Sequence, residues 1–164
     1  MNTGQTILTV GALMLLSTMI LSINNSFYTT SGVLLSTQSG IIAVSLGSSM
    51  LEQIEGMAFD NATDNNSVTS TSSLTVPSAL GPEAGEVDTS YNDVDDFNGY
   101  TKIDSTLPAA RFTTHVTVYY VASSSPDVKS SIATWNKKII VSVSSPSMTD
   151  TVTFSYVFSY WTFR

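Results

Sequence analysis

The residues best able to do chemistry lie together in residues 91–100, YNDVDDFNGY. Asp93, Asp95, Asp96 and Asn98 bring carboxylates and an amide into one short run, closed by Gly99. Such an oxygen-only donor set suits a hard cation, and calcium fits it best. The spacing is not that of an EF-hand loop, because the glycine comes one place late and no Glu stands at the twelfth position. The same residues also describe an ordinary Asp/Asn-Gly turn whose side chains cap backbone N–H groups. Both readings stand, and the turn is the commoner use of these residues.

Little else points to a reaction. The chain has one histidine, His115, and no cysteine. Thiol chemistry, disulfides and Cys-type zinc cages are therefore excluded. No nucleophile–base pairing or phosphate-cradling glycine loop is recognisable. The paired acids crowd one turn and do not face each other across a cleft, so no enzyme is expected. His115 sits mid-strand among Thr and Tyr, where a structural role is the ordinary one.

Composition narrows the class further. Of 164 residues, 42% are hydrophobic and only 12% charged, with a formal net charge of -7. Average domains carry about a quarter charged residues. Ser, Thr and Asn fill the gap, a surface common in proteins outside the cell. The six bases (Lys102, Arg111, Lys129, Lys137, Lys138, Arg164) form no patch beyond the Lys137-Lys138 pair. Nucleic acid is excluded as a partner, since phosphate binding needs clustered bases. All acids except Asp127 and Asp150 lie from Glu52 to Asp104, most of them on a solvated face.

These groups must be held by a scaffold, and residues 1–59 dominate it. No Asp, Glu, Lys or Arg occurs before Glu52, and no Pro before Pro77. The run 7–23, ILTVGALMLLSTMILSI, is at the short end for a membrane helix. A cleaved signal peptide, a simple membrane anchor and a subunit whose helix passes from bilayer to helical bundle all use such a run. The six residues before it, MNTGQT, carry no positive charge, unlike a signal peptide. In residues 26–59, Leu35, Ile42, Leu46, Met50, Ile54 and Met57 recur at helical spacing, with Ser39, Ser49, Gln53 and Glu55 off the stripe. The pattern predicts one helix through Phe59, about 85 Å at 1.5 Å per residue. Gly32, Gly40, Gly47 and Gly56 weaken it by about 1 kcal/mol each, so it needs neighbours.

Four regions follow. Residues 1–25 form a protruding apolar helix, for a membrane or a filament core, and 26–60 are its amphipathic half. Residues 61–110 form a loop-rich acidic connector with at most a short strand at 73–76. Residues 111–164 form an antiparallel sheet. Period-two alternation in 111–123 puts Phe112, Thr114, Val116, Val118 and Tyr120 on one face. Residues 138–144 and 151–163 are further strands, with a fourth near 100–103. The segments 124–127 and 144–147 are turns. The last strand looks aromatic on both sides through Phe154, Tyr156, Phe158, Tyr160, Trp161 and Phe163. The fold class is α+β: a long N-terminal helix whose second half packs on a three- to four-stranded antiparallel sheet.

Gly4 followed by a near-uncharged apolar helix, and then IIAVSLGSSMLEQIEGMAFD at 41–60, resembles type IV pilins and the related pseudopilins of secretion systems. Runs like DVDDFNGY also occur in pilin-like proteins between helix and sheet. The resemblance implies a homopolymer whose subunits wait in the inner membrane and are built into an extracellular filament by a pilus assembly machinery. It implies prepilin-type processing between Gly4 and Gln5, and polymerisation through Ile7, Leu8, Val10, Leu13, Leu15, Leu16, Met19, Ile20 and Ile23. The family's usual acid at the fifth mature position is absent: Thr9 stands there if cutting follows Gly4, and Gln5 if Met1 is the mature start. The other expectation is a membrane-anchored monomeric β domain, or a minor pseudopilin, with a calcium-dependent loop.

Overall fold

Nothing in residues 3–55 can stop a helix: the stretch has no Pro, and its glycines are isolated. In the computed structural model, which describes residues 2–105 and 110–162, α1 runs unbroken from Thr3 to Glu55. The chain divides into two units, residues 1–38 and 39–164.

The first unit is helix from Thr3 onward. Leu13, Met14, Leu15 and Leu16 follow one another, and at about 100° per residue they wrap the whole circumference in apolar surface. Several of its hydroxyls turn inward to the backbone. Ser17 Oγ donates to Leu13 O at 2.8 Å, Thr18 Oγ1 to Leu15 O at 2.9 Å and Thr29 Oγ1 to Asn25 O at 3.0 Å. These polar groups are satisfied within the helix and need no water, as an apolar surrounding requires.

The second unit holds the end of α1 against an antiparallel sheet. The helix buries Ser39, Ala43, Gly47, Met50 and Ile54, a stripe at four- and three-residue steps. This corrects the predicted stripe. Met50 and Ile54 are buried, and Ile42, Leu46 and Met57 flank the core, but Leu35 is exposed. Ser39, expected off the stripe, is 1% exposed. Small residues take the centre because they let the helix axis lie close to the strands. A Cβ on Gly47 would come within 2.7 Å of Phe154 Cδ2, so here only glycine fits without a shift. The helix stops at Glu55, before the predicted Phe59. Met57 N donates to Ile54 O, and the next amide, Ala58 N, leaves the helix for Asn92 O at 3.1 Å.

The strands are β1 (Thr101–Asp104), β2 (Phe112–Ala122), β3 (Ser125–Lys129), β4 (Asn136–Ser144) and β5 (Val152–Ser159). The order is β1-β2-β4-β5, with β3 paired to the end of β2. The four expected strands form the main path. The fifth, β3, occupies a segment predicted as a turn, because the chain reverses tightly after Ala122 and pairs Ala122 with Ser125. Of the two readings for 73–76, loop or a short strand, the loop is found, and a 3₁₀ turn at Thr71–Ser73 leads into it, capped by the Ser70 side chain. Residues 106–109 and Phe163 lie outside the described residues.

Alternation sets the inner face. Phe112, Val116, Val118 and Tyr120 of β2 are buried, while His115 is exposed. Register aligns Val116 with Val141, Val118 with Ile139 and Tyr120 with Lys137. On β5, Phe154, Tyr156 and Phe158 share one face opposite Val141, Ile139 and Lys137. That corrects the expectation of a strand aromatic on both sides. The other face carries Thr153, Ser155 and Val157, and Tyr160 and Trp161 lie beyond the strand.

Candidate functional site

β4 continues its alternation one step before the predicted start. Lys137 has the same parity as Ile139, Val141 and Val143, so it points into the core and is fully buried. A buried ammonium must find acceptors for three N–H bonds. Lys137 Nζ donates to Phe59 O at 2.6 Å, to Asp60 Oδ2 at 3.1 Å and to Asp95 Oδ1. The Phe59 and Tyr120 rings flank it, with centroids at 4.7 and 5.2 Å.

Asp60 is the hub of this arrangement. It follows the exit of α1, caps the 3₁₀ turn Asn61–Thr63 and accepts from Thr75 N at 3.0 Å and Tyr120 Oη at 3.1 Å. Burial works to raise its carboxyl, but Lys137 and the amides of Thr75 and Ala62 outweigh it and hold Asp60 below the ordinary carboxylate range. Burial, with the carboxylates of Asp60 and Asp95, pushes the Tyr120 phenol far up, so it remains a donor.

The acidic loop is built around this centre. Asp93 Oδ1 accepts from Asp95 N (2.8 Å) and Asp96 N (3.3 Å), which opens a 3₁₀ turn at Asp95–Phe97. Asp96 Oδ2 accepts in return from Asn92 N (2.9 Å) and Asp93 N (3.2 Å). Asn98 bridges two segments: its Nδ2 donates to Leu80 O and its Oδ1 accepts from Val118 N. Gly99 has φ +83°, a conformation that favours glycine. Burial, and next the Asp95 carboxylate, push Asp93 up to about 9, so it carries a proton at neutral pH.

Of the four oxygen ligands considered from the sequence, Asp95 thus faces Lys137, Asn98 ties Leu80 to β2, and Asp93 and Asp96 cap amides. They share a loop, and their side chains turn to different partners. His115 Nδ1 lies 3.0 Å from Thr101 Oγ1 on the exposed face of β2.

At the other end of the chain, Gly4 and Gln5 are exposed in the first turn of α1, with Gln5 N donating to Asn2 O. Ile7, Leu8, Val10, Leu13, Leu15, Leu16, Met19, Ile20 and Ile23 are all exposed, from 48% at Ile23 to 74% at Leu8. By length and composition, α1 is long and apolar enough to cross a membrane.

Sequence reasoning missed Lys137, Asp60 and Tyr120 as a buried cluster. The signal for Lys137 was its parity with Ile139. The acids that answer it come from two distant segments that no spacing rule connects. No family model, curated protein or solved structure matches this chain.

Proposed function

From a long apolar N-terminal helix packed by its far end on an antiparallel sheet, a pilin-like architecture, we propose that this chain is the structural subunit of a type IV pilus-like extracellular filament. One observation carries the reading. The helix has no charged residue before Glu52, and in its first unit the large apolar side chains are exposed. Such a surface is stable only in lipid or against other apolar helices. A helix of this length, about 80 Å, exceeds the roughly 30 Å of a bilayer core.

In this reading the precursor sits in the membrane through the start of α1. Assembly machinery transfers it to a bundle in which copies of the same helix bury one another. Small residues such as Gly4, Gly11, Ala12 and Ser17 allow close helix approach. The β domains then tile the outside and serve adhesion, motility or surface attachment. Processing between Gly4 and Gln5 belongs to the same proposal.

The test is the pair Leu15→Asp and Leu16→Asp. Electron microscopy of cells expressing either variant should show no filaments, with the chain held in the membrane or degraded. Normal filaments from both variants would end the proposal. N-terminal mass spectrometry of the mature chain should place its first residue at Gln5.

A second reading is a membrane-anchored monomer or minor pseudopilin. It is favoured by Thr9 or Gln5 standing where pilins place an acid. A chain that remains monomeric in detergent, with no filaments on cells, would support it.

A further inference from the structure

The connector holds acids that the capped turn does not use. Residues 81–86, GPEAGE, turn on Gly81 (φ +143°) and Gly85 (φ +96°) and bring Glu83 and Glu86 beside Asp96. The three carboxylates offer oxygens that all lie within 4.8 Å of one another.

Each acid is fixed through one oxygen. Asp96 Oδ2 is held by the amides of Asn92 and Asp93. Glu83 Oε1 accepts from Asn61 Nδ2 at 2.9 Å, and Glu86 Oε2 from Glu83 N at 3.0 Å. What remains is telling. Asp96 is 1% exposed, yet no N–H reaches its Oδ1, and Glu83 Oε2 is likewise buried without an N–H donor, which leaves these acids only one another's carboxyl groups as further partners. A buried carboxylate oxygen without a donor is costly. The described ion pairs of Lys137 and Lys138 go to Asp60, Asp95 and Asp127, not to these acids.

We propose that Glu83, Glu86 and Asp96 form a binding site for a divalent cation, with calcium as its occupant. Oxygen-only ligands select a hard cation, and the flexible geometry of calcium tolerates carboxylates gathered on one side, with water completing the shell. Magnesium is disfavoured because it demands near-ideal octahedral geometry and holds its waters. Glu86 is only half-buried, which leaves a route for the ion. Bound calcium would tie the 81–86 turn to the Asp-rich loop, and through Asp95 and Lys137 to β4. The site uses Asp96 of the four residues singled out in the sequence and recruits two acids that lie ten or more residues upstream of it. It does not depend on the filament reading.

The probe is terbium(III), with full-length protein in detergent micelles. Tyr91, whose phenol feels the charges of Asp96 and Glu86, is placed to sensitise its emission. We expect saturable emission displaced by calcium in the range of about 10⁻⁴–10⁻³ M, as for extracellular calcium modules, and by magnesium only at much higher concentration. Calcium should raise the melting temperature relative to chelator. Both effects should weaken at least tenfold in Glu83→Gln/Glu86→Gln and persist in Asp88→Asn, which removes an acid from the same connector. The proposal is overturned by no saturable displacement at millimolar calcium, or by equal loss in Asp88→Asn. It is also overturned if the double Gln variant binds as the parent does. If the acids instead share a proton, that variant will be more stable than the parent in chelator and calcium will shift neither protein.

Discussion

Lys137 shows how one side chain commits distant parts of a chain to each other. Its ammonium uses all three N–H bonds on Phe59, Asp60 and Asp95. Removing it leaves two buried carboxylates facing apolar rings. Lys137→Met should therefore cost about 3–5 kcal/mol, read as a lower midpoint in chemical denaturation. Adding Asp60→Asn and Asp95→Asn to that variant should recover much of the loss, because the uncompensated charge goes with them. A triple variant no more stable than Lys137→Met would show that the cost lies elsewhere. Asp60 makes a pH prediction at the same scale. Its folded carboxyl titrates below its unfolded value, so it contributes stability that is complete above about pH 4, the unfolded range. That contribution is lost as pH falls through the folded pKa. The melting-temperature gap between the parent and Asp60→Asn should be full at pH 7 and shrink below about pH 4.

At the scale of elements, the helix–sheet contact turns on small residues. Ser39, Ala43 and Gly47 present little side chain, and Phe154 fills the space at Gly47. Gly47→Val should overpack this contact and cost about 1–3 kcal/mol. At Gly40 an added Cβ would meet nothing within 4 Å, and the opposite sign follows: Gly40→Ala is expected to stabilise the detergent-solubilised monomer by up to about 1 kcal/mol. Thermal unfolding of the two variants side by side checks both signs. This contact was half legible beforehand. Periodicity placed Met50 and Ile54 on the buried side, but a rule that follows large apolar residues overlooks Ser39 and Gly47, whose value is the space they leave. Likewise β5 read as aromatic throughout, because a run of Phe, Tyr and Trp hides its parity. Residues 154, 156 and 158 share a face simply because strands alternate.

For the whole molecule, the first unit and the second differ in how they treat apolar surface. The second unit has a core of its own, running from Ala43 and Ile54 through Val116, Ile139 and Phe158 to Tyr160. The first leaves its apolar side chains open, and several of its hydroxyls bond back to its own backbone. A charge at Leu15 or Leu16 should accordingly abolish assembly while leaving the second unit folded. Near-ultraviolet circular dichroism of the detergent-solubilised variant should match the parent and report that separation. Loss of the folded signal would point to a general folding defect.

The sequence by itself determined the long uncharged helix, the alternating strands and the lack of cysteine. Each of these is a local property, set by residue period or by composition along a single stretch. Tertiary structure alone decided what the acids do. Asp95 meets a lysine from β4, Asp60 meets the same lysine from the exit of α1, and Asp96 meets Glu83 and Glu86 from an upstream turn. Charges interact through space with no memory of their separation along the chain, so their partners become visible only once the backbone has brought them together.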